Sequence, residues 1–77
     1  MHDKLKNILS LTIGTVQGPY QEAWLRDFSN WDSMNHMILI TKVESTFNVQ
    51  LTGEEIASLK SVQELVNLLE KKSGSIN

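Results

Sequence analysis

Asp32-Ser33-Met34-Asn35-His36-Met37-Ile38-Leu39-Ile40-Thr41-Lys42-Val43-Glu44-Ser45-Thr46-Phe47 decides the fold. A helix advances about 100° per residue. With Met34 at zero, Leu39, Val43, Phe47 and Ile40 fall near ~140°, ~180°, ~220° and ~240°, an ordinary core stripe. Met34, Met37 and Ile38 fall near ~0°, ~300° and ~40°, on the opposite side, with Thr41 among them. His36 lies near ~200°, beside the core stripe, and reads as a packed histidine rather than a base. The segment is therefore a helix with two apolar faces. A chain of 77 residues has one small core and cannot easily bury both. The second face is expected to stay partly open, unless the connection before it folds over and covers it.

The rest of the chain reads as helices around this one. Asp3 is placed to cap a first helix over about residues 4–13, where Leu5, Ile8, Leu9 and Thr12 share one side and Leu11 and Ile13 add apolar bulk. Gly14 stops it and Gly18-Pro19 marks a turn. Residues 14–31 form a long connection rich in aromatics (Tyr20, Trp24, Phe28, Trp31), with room for a helical turn in 20–27. Trp24, Leu25 and Phe28 are the expected anchors of that loop on the core. Thr52-Gly53-Glu54-Glu55 has the form of a capping box and opens a short helix around Ile56. Ser61-Val62-Gln63-Glu64 is a second capping box, opening a helix striped by Val62, Leu65, Val66 and Leu69. Lys71 and Lys72 suit its C-terminal end, and Ser73-Gly74-Ser75 leads into a tail over about 73–77. No strand-like alternation competes. The expected fold class is all-α, a bundle of three main helices plus one short helix in a single domain over 1–77, with a long aromatic first loop.

Composition narrows the function. There is no cysteine, so disulfides and thiolate metal sites are excluded, and His2 and His36 alone do not make a metal centre. Seven basic residues scattered from Lys4 to Lys72, at net charge −2, do not form a nucleic-acid surface. No stretch reaches the length of a membrane span, and Met1-His2-Asp3-Lys4 does not open a signal peptide, so the chain reads as a free-standing cytoplasmic protein. From Asp27 to Lys60, five acids stand against two bases, which steers weakly toward basic protein partners. Catalysis is not supported: a Ser33–His36–acid set lacks the cleft and oxyanion hole it needs, and the chain is read as a non-enzyme.

Ser33 stands out by position. It follows Asp32 at the start of the long helix, where unpaired backbone N–H groups and the helix dipole favour a phosphate. A serine in such a place is also a common helix cap. Taken alone, Asp-Ser decides nothing.

Asp32-Ser33-Met34, then Leu39, Val43-Glu44, Phe47, Val49, Leu51, Glu54-Glu55, Ile56, Leu59 and Ser61-Val62 together resemble the acyl carrier protein family. That family's pattern is Asp-Ser-Leu, a Leu, a Leu-Glu pair, a Phe, an Ile before the short helix and a Thr-Val start of the last one. The spacing from Asp32 to Val62 matches without a gap. The resemblance implies that Ser33 carries covalent 4′-phosphopantetheine, with Asp32 as its motif neighbour. The arm would come from coenzyme A through a phosphopantetheinyl transferase and would hold an acyl chain as a thioester, in a fatty-acid, polyketide or other lipid pathway. It also implies that the second helix, through Met34, Met37, Ile38 and Thr41, meets the acyl-loading and acyl-processing enzymes. A monomer is expected. This would supply thiol chemistry to a chain that has no cysteine.

Three departures from the pattern stand out. The glycine the family carries shortly before Asp-Ser is missing from Asp27-Phe28-Ser29-Asn30-Trp31, where Asn30 is the expected left-handed substitute. Met34 replaces a Leu. Ile38 stands where fatty-acid carriers have an acid, so the partner face is more apolar than usual, which suits a specialised member. Two alternatives stay open: a peptidyl or aminoacyl carrier of the same fold, and an unmodified helical interaction module.

Overall fold

The computed structural model describes residues 2–73, so the expected tail beyond Ser73 lies outside the described residues. Among the described residues four helices form: α1 (His2–Thr12), α2 (Ser33–Phe47), α3 (Gly53–Ser58) and α4 (Val62–Ser73). Two short 3₁₀ turns, Tyr20–Glu22 and Leu25–Asp27, punctuate the α1–α2 connection where a helical turn is expected. The helices start where local chemistry says they should. Asp32 caps α2 by accepting from the Asn35 N–H at 2.7 Å. Thr52 and Glu55 exchange both bonds of the capping box at α3. Ser61 and Glu64 do the same at α4, with Glu64 also accepting from the Lys60 N–H. α1 begins earlier than its expected start, at His2, so Asp3 sits inside the first turn, where its charge still suits the helix dipole.

One core gathers the predicted stripes. Leu5, Ile8, Leu9 and Ile13 from α1 and its end meet Leu39, Ile40 and Val43 from α2 and Val62, Leu65, Val66 and Leu69 from α4. Thr12 is buried with them, its hydroxyl satisfied by the Ile8 carbonyl at 2.7 Å. Phe47 is only partly buried at the margin, and Leu11 points outward on the far side of α1. α2 ends through Asn48, in the left-handed conformation with φ 55°, whose N–H returns to the Glu44 carbonyl.

The long connection is fixed at two places, neither of them announced by its own sequence. Near its end, Ser29 and Asn30 pair with the chain just after α1: Asn30 N–H donates to Ile13 at 2.8 Å and Ser29 N–H to Thr15 at 2.7 Å. The left-handed residue at this crossing is Gly14, with φ 88°, and a Cβ there would collide with the Ser29 hydroxyl. Asn30 is not left-handed, contrary to expectation: its N–H is bound to Ile13, and the turn falls on Gly14 instead. The second fixing point is an isolated antiparallel bridge between Trp24 and Ser61, in which Leu25 N–H donates to Lys60 at 2.9 Å and Val62 N–H to Ala23 at 3.1 Å. Leu25 and Phe28 are buried anchors, as expected. Trp24 is not: the residue is 52% exposed, because the bridge holds its backbone and leaves the ring outside the core.

Candidate functional site

The head of α2 presents the candidate site. Ser33 is its first residue and is exposed. Its hydroxyl has no hydrogen-bond partner among the described residues, since the capping work is done by Asp32. The hydroxyl therefore stands free beside the first-turn N–H groups of a 15-residue helix, at its positive end. Asn35 braces the same turn from the other side, donating its side-chain amide to the Asn30 carbonyl at 2.8 Å.

Beside Ser33 lies an open groove of about 500 Å³ between α2 and α3, lined by Trp31, Ser33, His36, Met37, Gly53, Ile56, Ala57 and Leu59. His36 is buried, as its place on the core side implies, and ties the walls together. One ring nitrogen accepts from the Trp31 indole at 3.2 Å and the other lies 3.1 Å from the Ile56 carbonyl. Nothing here places His36 as a base toward Ser33.

Met34, Met37 and Ile38 are exposed, at 68%, 48% and 43%, and with Thr41, Lys42 and Ser45 they line a shallow apolar hollow along α2. The aromatic connection leaves them exposed, its backbone being paired instead with Ile13–Thr15 and with Lys60–Val62. The two-faced reading of α2 holds: Leu39, Ile40 and Val43 are within 1% of full burial while the opposite face is open. The groove itself was not visible in the sequence. Ile56 and Ala57 lie on a six-residue helix and Leu59 just past its end, too short a stretch to show a readable period.

Among the described residues, no group of three or more His, Asp or Glu is placed to hold a metal ion, and no helix is long and apolar enough to cross a membrane. The described residues thus form a four-helix domain with a free hydroxyl at the positive end of α2, an apolar groove beside it and an open apolar face along the same helix. Residues 3–69 match the family described as phosphopantetheine attachment site. The chain is 32% identical over 69 residues to the acyl carrier protein of Buchnera aphidicola subsp. Baizongia pistaciae, covering 88% of each. It is 30% identical over 73 residues to the acyl carrier protein of Bdellovibrio bacteriovorus, covering 94% of each. The chain belongs to the acyl carrier protein family, whose prosthetic group is covalent 4′-phosphopantetheine and whose members are carriers rather than catalysts.

Proposed function

We propose that Ser33 is the residue that carries the 4′-phosphopantetheine arm, and that the whole of 1–77 acts as one carrier domain. The observation that bears most weight is the free, exposed Ser33 hydroxyl at the head of α2, with Asp32 occupied in capping. Once attached, the phosphodiester would lie against the first-turn N–H groups, where a negative charge is favoured by roughly 0.3–1 kcal/mol. The arm supplies a thiol, which holds an acyl group as a thioester. Every other task falls to the chain: α2 orients the attachment point, and the α2–α3 groove offers an apolar wall beside it.

Met34, Met37, Ile38 and Thr41 are the surface that meets the phosphopantetheinyl transferase and the acyl-loading and acyl-processing enzymes. Methionine supports such a surface because it adapts to different partners. Ile38 in place of an acid makes the contact apolar, which suits a specialised carrier with a few dedicated enzymes of a lipid, fatty-acid or polyketide pathway. The carrier works in the cytoplasm as a monomer.

The test is intact mass after incubation with coenzyme A and a broad phosphopantetheinyl transferase. A gain of about 340 Da, absent in Ser33→Ala, supports the assignment. No gain, or a gain that persists in Ser33→Ala, overturns it.

A further inference from the structure

Among the described residues, Trp24 and Leu11 are the exposed large apolar side chains with no part in the proposed function, and of the two only Trp24 lines a cleft. Trp24 lies on the α1–α2 connection, and its backbone is locked to residues 60–62 rather than free to swing. It forms one wall of a cleft of about 390 Å³, with Leu25, Arg26, Trp31, Ala57, Leu59 and Lys60. The cleft has an apolar floor in Leu25 and Leu59, both buried. It has two cations, Arg26 and Lys60, and no carboxylate in its lining. Neither cation makes an ion pair among the described residues. Glu64, the acid whose contacts bring it to this end of α4, is engaged with the backbone N–H groups of Lys60 and Ser61. In a chain of net charge −2, this is a local excess of positive charge set into an aromatic cleft.

The cleft adjoins the groove at Ser33. Trp31, Ala57 and Leu59 line both, while Ser33 lies only in the first and the two cations only in the second. A chain hung from Ser33 along these shared residues meets apolar surface first and positive charge last. From this order we infer that the cleft is a docking subsite for a tethered acyl group whose far end carries a carboxylate. The inference rests on Ser33 as the attachment point. The thioester end would stay on the Trp31 side, the acyl carbons against Trp31, Ala57 and Leu59, and the terminal acid between Arg26 and Lys60 beside the Trp24 indole. A cleft this open is a poor site for a free ligand. Tethering changes that, because a linked ligand is present at an effective concentration on the order of millimolar. Weak contacts then hold a large fraction of the cargo.

The experiment compares two cargoes of equal length. The protein is loaded by the transferase from glutaryl-coenzyme A or from pentanoyl-coenzyme A, so that the arms differ only in the terminal carboxylate. Intact mass on the protein and on Ser33→Ala is read first, and failure there overturns the attachment site and this inference with it. With the arm on Ser33, the Trp24 indole N–H resonance is expected to shift several-fold more for glutaryl than for pentanoyl. The difference should vanish in Arg26→Gln/Lys60→Gln, two exposed positions whose exchange leaves the core intact. Equal shifts for the two cargoes, or a difference that survives the double substitution, overturn the subsite and leave the attachment site standing. A glutaryl-specific shift in which Trp31 moves and Trp24 does not places the acid in the Ser33 groove and equally overturns it.

Discussion

The Trp31 indole N–H donates to Nδ1 of His36 at 3.2 Å, with the rings edge to face and their centroids 5.9 Å apart. With Nδ1 accepting, the neutral ring carries its proton on Nε2, which then donates to the Ile56 carbonyl 3.1 Å away. One buried side chain thus joins the aromatic connection, α2 and α3 around the groove at Ser33.

His36→Phe keeps a flat aromatic ring, somewhat larger, and makes neither bond. It leaves the Trp31 N–H and the Ile56 carbonyl short of a partner, so a loss of about 1–3 kcal/mol in urea unfolding is expected. His36→Gln, which both accepts and donates, should recover part of it. Faster hydrogen exchange at the Trp31 indole in the Phe variant, and not in the Gln variant, identifies the lost bond as the cause.

Two glycines separate backbone demand from mere presence. Gly14 has φ 88° and no room for a Cβ beside Ser29, whereas Gly53, at the start of α3, has nothing within 4 Å. Gly14→Ala should destabilise by more than about 1 kcal/mol, since the left-handed conformation alone is worth about that much against an L side chain. Gly53→Ala should be neutral or stabilising by a few tenths to about 1 kcal/mol. Thermal unfolding of the two variants side by side reads the difference.

The Thr52–Glu55 capping box sets an acid limit. The Thr52 backbone N–H, then the Lys72 ammonium at 2.9 Å, hold the Glu55 carboxyl below its ordinary value. A carboxyl lowered on folding contributes stability above its unfolded pKa and loses it as pH falls through the folded one. Glu55→Gln should therefore flatten the acid side of the stability curve below about pH 4.5 and leave its neutral shape alone. Thr52→Ala removes the reciprocal bond and should cost about 1 kcal/mol at neutral pH. Urea midpoints across pH 3–7, a window set around the ordinary carboxyl range, test both effects.

What the sequence revealed and what it hid follow one physical line. The stripes Leu5–Ile8–Leu9–Thr12 and Val62–Leu65–Val66–Leu69, and the capping boxes at Thr52 and Ser61, are local: the residues that interact lie three or four apart, and all of them hold in the structure. The open face of α2 was legible because a small bundle has only one core to offer its longest helix. The aromatic connection was not. Its course is set by backbone pairing of residues 23–25 with 60–62 and of 29–30 with 13–15, contacts between distant segments that leave no period in either. So Trp24, an aromatic just before the true anchors Leu25 and Phe28, reads as buried and is exposed, and the left-handed residue expected at Asn30 turns out to be Gly14. The groove at Ser33 shares this origin, since Trp31 reaches His36 only once the connection is in place.

Adjacent residues on α2 provide the sharpest separation of fold from recognition. Leu39 is fully buried and Ile38 is 43% exposed. Leu39→Ala removes core volume and should cost about 3 kcal/mol, within the range for buried leucines. Its effect on partner enzymes should shrink to little at temperatures where the variant is still folded. Ile38→Glu leaves the core untouched and should move stability by less than about 1 kcal/mol. It places a charge in the centre of the Met34–Met37 face, so kcat/KM of a partner enzyme that reads this face should fall about tenfold, the size expected for an interface residue contributing more than about 1 kcal/mol. Unfolding curves and partner turnover measured on the same two proteins decide the matter. If Ile38→Glu turns over like the parent, the partner surface lies elsewhere on the bundle.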